Sequence, residues 1–312
     1  MLNFDILPYS EVHINMQGGE RYNSINNYLK DYFGSKTVKL SIEAGFTCPN
    51  RDGKIGYGGC AFCSSGGSGE LSSSISEQID LLSSKWHGVK YIAYFQSHTN
   101  TYADVDVLRN LYYKALNDKR ISGIAIATRP DCLSDEIIEL LTEINKEHFL
   151  WIELGLQTIH QKTSDMMGIG YDLSVYDDAV DKLISKNIRV VTHLILGLPG
   201  ETEDEMLESV KYVVKKKIFG IKLHMLNIVK TSRLYEMMPD YVSFNSIDEY
   251  VNTIIKCLEI IPADITIHRL TGDVPRKILV TPKWSYEKRT ILNKINLELK
   301  LRNTHQGAYA CR

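Results

Sequence analysis

The chain predicts an α/β fold built on a parallel sheet, and three observations lead there. Short runs rich in β-branched and aromatic residues alternate with longer amphipathic stretches, several of those runs are apolar through most of their length, and no low-complexity linker breaks the alternation. Strands covered on both faces, as those of a parallel sheet are, read this way. The 312 residues, 44% hydrophobic and 24% charged, suffice for one large domain of this kind or two smaller ones.

The strands are expected at 37–42 (TVKLSI), 89–96, 121–128, 149–157, 188–196 and 219–227, with a weaker seventh at 263–268. Helices fill the intervals at 76–87, 103–118, 134–147, 173–187 and 202–217, and a last helix runs over 284–302. Their starts carry capping chemistry: Ser74 precedes Glu77 and Thr202 precedes Glu205 at capping-box spacing, and Ser134 stands before Asp135 and Glu136. About six βα units in succession give a parallel sheet. Periodicity does not separate a doubly wound sheet from an open or complete barrel. Polar residues nevertheless collect at the strand C-terminal ends: QSHTNT (96–101), TRPD (128–131), Glu153 with Gln157, His193, and Lys222 with His224. In both architectures that edge is where ligands bind.

The opening MLNFDILPYSEVH lacks the basic start and apolar stretch of a signal peptide, and no segment approaches the roughly 20 apolar residues of a membrane span. These features predict a soluble, cytoplasmic protein with no membrane partner. In that reducing compartment six cysteines argue for metal or redox chemistry over disulfides. Three of them, Cys48, Cys60 and Cys63, share the segment GFTCPNRDGKIGYGGCAFCSS, whereas Cys132, Cys257 and Cys311 are scattered and read as buried or surface thiols. Three thiolates from one glycine-rich loop can hold three irons of a cubane iron–sulfur cluster and leave the fourth open to a small molecule. A structural zinc would need a fourth ligand, and the nearest histidine, His87, falls on a predicted helix end. The glycines of the loop, among them Gly53, Gly56, Gly58 and Gly59, allow tight turns that present backbone amides to sulfides.

Two-residue spacing puts Glu153, Gly155 and Gln157 on one strand face, and a buried glutamate is costly unless paired or functional. Arg129 either binds an anionic substrate group or pairs with Asp131. His193 and His224 read as hydrogen-bonded interior residues that are able to shuttle a proton. Net charge, −2, gives no global nucleic-acid signal. Local basic sets exist in Lys211 with Lys215, Lys216 and Lys217, and in Lys283, Lys288, Arg289, Lys294, Lys300 and Arg302 near Trp284, Tyr286 and Tyr309. They make either an RNA phosphate-binding face or a pair of solvated helix faces.

The cysteine triad after the first strand, Phe62 before its last cysteine, and the six βα units together resemble the radical S-adenosylmethionine superfamily. Its common spacing is three then two residues between cysteines. The eleven then two found here are shared by the branch around the catalytic subunit of Elongator, as are TRPD (128–131), ELGLQT (153–158) and HLILGLPGET (193–202). CPNRDGKIGYGGCAFC, SHTNTYA (97–103) and HRLTGDVP (268–275) are similar to the bacterial YhcC/YtqA-type group. The resemblance covers roughly residues 20 to 305.

It implies a partial (β/α)6 TIM-like barrel over residues 36–270, with an N-terminal extension at 1–35 and a C-terminal one at 271–312. It implies a 4Fe-4S cluster on Cys48, Cys60 and Cys63 and a bound S-adenosyl-L-methionine cleaved to a 5′-deoxyadenosyl radical, with Phe62, Gln96, Arg129, Asp131 and Gly197 around that cofactor. Gln96 stands where many members carry a glycine–glycine–glutamate motif, which this sequence lacks. Glu153, Gln157 and His193 are the expected catalytic residues, and a flavodoxin or ferredoxin the one-electron donor. Elongator-like relatives act on the wobble uridine of tRNA, and the resemblance extends to trimming carboxymethylaminomethyluridine to aminomethyluridine. The chain leaves no room for the acetyltransferase domain that follows in the Elongator subunit, so addition of acetyl-derived carbons is not expected. The alternatives are a radical enzyme acting on a small metabolite, as the porphyrin-pathway relatives do, and a non-catalytic iron–sulfur carrier.

Overall fold

A computed structural model describes residues 20–67, 72–83, 89–272 and 274–310. Residues 1–19 of the expected N-terminal extension, the end of the helix expected at 76–87 with His87, and Cys311 lie outside the described residues. The first half of the chain gives α1 (Ile25–Phe33), β1 (Thr37–Ile42), α2 (Ile75–Ser83), β2 (Lys90–Phe95), α3 (Val105–Leu116), β3 (Ile121–Thr128), α4 (Asp135–Glu147) and β4 (Phe149–Gln157). The second gives α5 (Gln161–Met167), α6 (Leu173–Ser185), β5 (Arg189–Leu196), α7 (Glu203–Val214), β6 (Gly220–Met225), β7 (Ile228–Val229), α8 (Arg233–Met237), α9 (Ile247–Ile260), β8 (Thr266–Arg269), β9 (Leu279–Thr281) and α10 (Lys288–Leu301).

Seven strands form one parallel sheet in the order β1-β2-β3-β4-β5-β6-β8, and β7 pairs with β9 in a separate antiparallel ribbon. The sheet curls into a half-barrel. β1 and β8 do not pair, so the barrel stays open, which decides the choice that periodicity had left. Both capping boxes are formed. The Thr202 amide donates to Glu205 Oε2 at 2.7 Å and the Glu205 amide to Thr202 Oγ1 at 3.3 Å, and Ser74 with Glu77 repeats the arrangement.

The period-two alternation of the strands sorts residues into two cores. On the outer face Leu150, Ile152 and Leu154 of β4, with Ile124, Leu194 and Leu223 of its neighbours, pack against α3, α4, α6 and α7. On the inner face Phe149 and Trp151 join Tyr94, Ala125, Val191 and Phe219, and α1 closes this end with Ile25 and Leu29. The Tyr28 ring meets Phe219 edge-on at 5.0 Å, and Tyr32 lies 4.6 Å from Phe149. Ser24 caps α1 by accepting from the Asn27 amide, and Gly34 ends it in the left-handed region with φ 66°. The Ile267 amide donates to the Asn23 carbonyl at 2.7 Å, which fastens this plug to β8.

The structure adds elements the sequence reading did not expect, the short α5, α8 and β9 among them, and departs from it more substantially elsewhere. The strand expected at 219–227 breaks after Met225, and the chain pairs again at β7 with β9. α1 lies within the segment expected only as an extension. α9 was not expected at all, yet Tyr250, Val251, Ile254, Ile255 and Leu258 recur at helical spacing and are buried against the outer core. Leu29 is 1% exposed at the centre of the aromatic plug. Leu29→Ala is therefore expected to cost about 2–5 kcal/mol in a urea titration, and a loss below about 0.5 kcal/mol would mean that α1 is not part of the folded core.

Candidate active site

The loop between β1 and α2 carries the three cysteines and is fastened by its own side chains. Asn50 Nδ2 donates to the carbonyls of Gly168 at 2.8 Å and Ile169 at 2.9 Å and reaches Cys60 Sγ at 3.4 Å. The Ala61 amide donates to the Met167 carbonyl at 2.8 Å, and its own carbonyl accepts from Leu234 at 2.7 Å. Gly59 has φ 82°, and a Cβ there would stand 3.0 Å from the Arg51 guanidinium, which donates to the carbonyls of Ser64 and Ser65. The loop thus arches over the strand ends. Cys48, Cys60 and Cys63 all line one cavity of about 250 Å3 at the C-terminal edge of the sheet.

Burial pushes the Cys60 thiol up to about 11, and the neighbouring Cys63 adds to the shift. A thiol in that condition binds as thiolate only when a metal supplies the opposing charge. Among the described residues no three His, Cys, Asp or Glu side chains converge on the point a single ion would need. A cubane presents separate irons to separate thiolates and has no such requirement. Three sulfur donors on one wall, beside an open cavity, fit a 4Fe-4S cluster with one open iron.

At the floor of the cavity stands Glu153, with no solvent exposure. Its Oε1 accepts from Trp151 Nε1 at 2.9 Å, and its Oε2 accepts from Tyr94 Oη at 2.7 Å, from His193 Nε2 at 2.8 Å and from Lys222 Nζ. Lys222 Nζ also donates to Tyr94 Oη at 2.8 Å. Burial alone would raise the Glu153 carboxyl, but Lys222 and His193 hold it well below the ordinary carboxylate range. Burial lowers Lys222 to about 7 against the pull of Glu153. His193 is lowered to about 4, by burial and then by the Lys222 charge. Because a carboxylate only accepts, the His193 Nε2 carries the hydrogen and its Nδ1 is left as an acceptor.

Nearer the mouth, Gln157 has φ 74° at a bulge in the β4–β5 pairing, and a Cβ on Gly155 would stand 2.8 Å from the Gln157 amide nitrogen. Arg129 makes a bidentate pair with Asp131 at 2.9 and 2.7 Å, donates to the Ile169 carbonyl at 2.9 Å and lies 4.9 Å from the Tyr171 ring centroid. Of the two readings offered for Arg129, the pairing is formed. Phe62, Gln96, Arg129, Glu153, Gln157 and His193 all line the cavity together with the thiols. Gln96 Oε1 accepts from Ser41 at 2.8 Å.

Asp131 stands behind Arg129, and Gly197 is off the cavity wall. The close approach that its glycine permits is to Phe244 and Ser243, whose atoms would lie 2.8 Å from a Cβ. Within SHTNTYA, Asn100 Nδ2 bridges the carbonyls of Phe95 and Ala127 at 3.1 and 2.9 Å, so that part of the motif ties β2 to β3.

Tyr94, Trp151 and Arg269 were not singled out for the site, and Lys222 was expected only as one of the polar residues at the ligand-binding edge, without a role. The signal for Lys222 was present, since it precedes His224 by two on a strand and so shares its face. Tyr94 and Trp151 are indistinguishable by sequence from core aromatics.

The family model of the Radical SAM superfamily matches residues 46–213, and that of the Radical_SAM C-terminal domain matches residues 218–300. The YtqA protein of Bacillus subtilis is 39% identical over 318 residues, which cover 99% of this chain and 97% of that protein. The tRNA uridine(34) acetyltransferase of Methanocaldococcus jannaschii is 23% identical over 168 residues, 52% of this chain and 30% of that protein. The archaeal Elp3 of Methanocaldococcus infernus shares the fold with a TM-score of 0.61 at 18% identity, over 74% of this chain and 58% of that one.

The neutral histidines give the protein a pH signature. Folded His193 takes its proton only near pH 4, and His224 and His268 are likewise held well below the imidazole value, whereas an unfolded histidine takes one near pH ~6.5. Between those limits the unfolded chain binds more protons, so stability falls as pH falls. Glu153, ionised throughout this window, keeps its contribution until pH drops through its depressed folded value. His193→Gln should flatten the dependence by up to about 1.4 kcal/mol per pH unit in urea titrations. An unchanged slope would show that His193 titrates normally in the fold.

Proposed function

This chain belongs to the radical SAM superfamily, and from that premise we propose that it is a radical enzyme trimming a tRNA wobble uridine, from carboxymethylaminomethyluridine to aminomethyluridine. The observation that carries the reading is the meeting of three thiols and a charged, buried floor in one cavity. Bound to Cys48, Cys60 and Cys63, a 4Fe-4S cluster would supply the electron, received from a flavodoxin or ferredoxin, that cleaves S-adenosylmethionine to methionine and a 5′-deoxyadenosyl radical.

The protein's own residues account for the rest. Ile169, Ile195, Met225 and Leu226 give the wall an apolar lining that excludes water. Phe62 and Gln96 border the space beside the thiols where the cofactor would lie. Arg129, its charge answered by Asp131, offers the cavity a fixed planar surface, and Gly197 acts by setting the turn after β5. Gln157 faces the substrate space from its bulge, and His193, neutral at pH 7, is placed to accept a proton at Nδ1. Glu153 orients both His193 and Lys222.

An RNA substrate is supported by the mouth. Exposed Lys54, Lys230, Arg276 and Lys277 stand beside the cavity-lining cysteine loop, Val229 and Val274, with Tyr57 78% exposed and Arg276 stacked 4.4 Å from the Tyr286 ring. The basic sets singled out in the sequence are placed differently. Lys215–Lys217 lie between α7 and β6, at the edge opposite the cavity, and Lys216 pairs with Asp177 at 3.1 Å. Lys294 pairs with Asp248, and Arg302 pairs with Glu298 at 3.0 Å. For Lys216, Lys294 and Arg302 these pairings favour the solvated-face reading. The relative that bears the name tRNA uridine(34) acetyltransferase adds support for the same substrate class.

Anaerobic reconstitution, dithionite reduction and mass spectrometry for 5′-deoxyadenosine test the reading, with and without tRNA from cells lacking this protein. The expected result is deoxyadenosine that rises with tRNA and a carboxymethyl mass lost from one nucleoside. Formation indifferent to RNA would point to a small metabolite, and none from an intact reduced cluster would leave an iron–sulfur carrier. Cys60→Ala is expected to abolish the visible absorbance of the reconstituted protein, and unchanged iron content would contradict the triad assignment.

A further inference from the structure

Eleven residues, 49–59, separate Cys48 from Cys60 where the superfamily commonly has three. Asn50, Arg51 and Gly59 fasten them to the loop and the core, and the others form a small hairpin. Asp52 and Tyr57 face each other in an antiparallel bridge, and the Gly53 amide donates to the Gly56 carbonyl at 3.1 Å. The amides of Ile55 and Gly56 donate to the Pro49 carbonyl at 2.9 and 3.3 Å, and the Lys54 amide donates to Asp52 Oδ1 at 3.1 Å. Ile55 reaches the α5–α6 turn where Gly170 leaves room for it, since a Cβ at that glycine would stand 2.9 Å from Ile55 Cγ2.

The hairpin carries a ring that is fixed without being buried. Tyr57 is 78% exposed, yet its phenol end occupies the space that a side chain at position 53 would fill, and a Cβ there would stand 2.5 Å from the ring Cζ. Gly53, with φ 92°, therefore serves both the turn and the seat of the ring. Gly59, two residues beyond Tyr57, lines the cavity, so the Tyr57 backbone lies within about 7 Å of the rim. Cations stand on both sides. Lys54 is exposed on the hairpin, and Lys230 and Lys277 are exposed at one end of the β7–β9 ribbon, whose Ile228 and Val280 share an apolar cluster with Cys60 and Phe62.

A base drawn into a cavity for chemistry leaves its neighbours in the strand unstacked. An aromatic ring held beside that cavity restores a stacking partner whatever the neighbouring base is, and lysines around it answer the phosphates. We propose that Tyr57 is a stacking platform for the nucleotide next to the one in the cavity, carried on the hairpin between the first two cysteines, and that its partner is a single-stranded RNA loop. The inference rests on the wobble-uridine reading and extends it from the reacting base to its neighbour.

The test is fluorescence anisotropy of the reconstituted protein with an anticodon stem-loop bearing carboxymethylaminomethyluridine at the wobble position, and with two versions lacking the base on its 5′ or its 3′ side. Tyr57→Ala should weaken binding of the intact stem-loop roughly tenfold. For one of the two abasic versions the same variant should stay within about twofold of wild type, because the base that would stack is gone. Tyr57→Phe should bind every version as wild type does, since stacking uses the ring and not the hydroxyl. Gly53→Ala, which drives the ring from its seat, should lose part of the same affinity. The visible absorbance of the cluster, recorded for each variant, separates a lost contact from a lost cluster. A Tyr57→Ala loss that is equal on all the stem-loops, or absent from all of them, would overturn the platform. Slower reduction of the cluster by flavodoxin in Tyr57→Ala, with RNA affinity unchanged, would assign this face to the electron donor and overturn it as well. If the selective loss is seen but wild type removes no carboxymethyl group from the intact stem-loop, the platform stands and the wobble-uridine reading fails. If wild type and Tyr57→Ala both trim the stem-loop and bind every version equally, the reading stands and the platform falls.

Discussion

A carboxylate shut away from water must meet its counter-charge inside the protein, and Glu153 on β4 meets it on Lys222, two strands away on β6. The same oxygen takes hydrogen bonds from Tyr94 on β2 and His193 on β5, so one carboxylate draws four strands to a common level. Below that level the inner face is apolar, with Phe149, Trp151 and Phe219 among Ala125 and Val191, and α1 closes it. Everything above that level is cavity. A buried ion pair is by itself weak evidence for stability, so packing energy alone does not account for these charges.

The cysteine loop is built to stand over that floor. Its anchors, the Asn50 amide on the Gly168 and Ile169 carbonyls and the Ala61 backbone pairing with Met167 and Leu234, come from the α5–α6 turn and α8 and not from the sheet. The thiols are consequently carried by a lid-like layer packed on Leu198, Leu226 and Ile228, with the strand ends beneath. A radical generated at such a place has walls on most sides and polar groups only where a substrate would be held, which is what controlled hydrogen abstraction needs.

Much of this architecture was legible in the sequence because its strands are covered on both faces. ISGIAIAT and FLWIELGLQ are apolar through most of their length and are buried through most of it, and the capping boxes at Ser74 and Thr202 announced helices α2 and α7. The cysteine spacing was legible because soft ligands from one loop have few other uses. What escaped was of two kinds. α9 was missed although its signal existed, with Ser246 accepting from the Glu249 amide at 3.1 Å and apolar residues at helical spacing, because its Val, Thr and Ile content resembles a strand. The roles of Lys222 and Tyr94 were missed because they depend on which strands curl to face each other, and alternation along one strand carries no information about its partner across the barrel. The placement of Arg129 on Asp131, offered as one of two readings, needed the bidentate geometry to decide it.

The central claim is that the three thiols hold a cluster whose open iron faces the cavity and takes the amino acid end of S-adenosylmethionine. Electron–nuclear double resonance on the reduced, reconstituted protein tests it most directly, using cofactor isotopically labelled at the methionine amino nitrogen and carboxylate. The account predicts hyperfine coupling between both labels and the cluster. An intact reduced cluster that binds S-adenosylmethionine and shows no such coupling would contradict it.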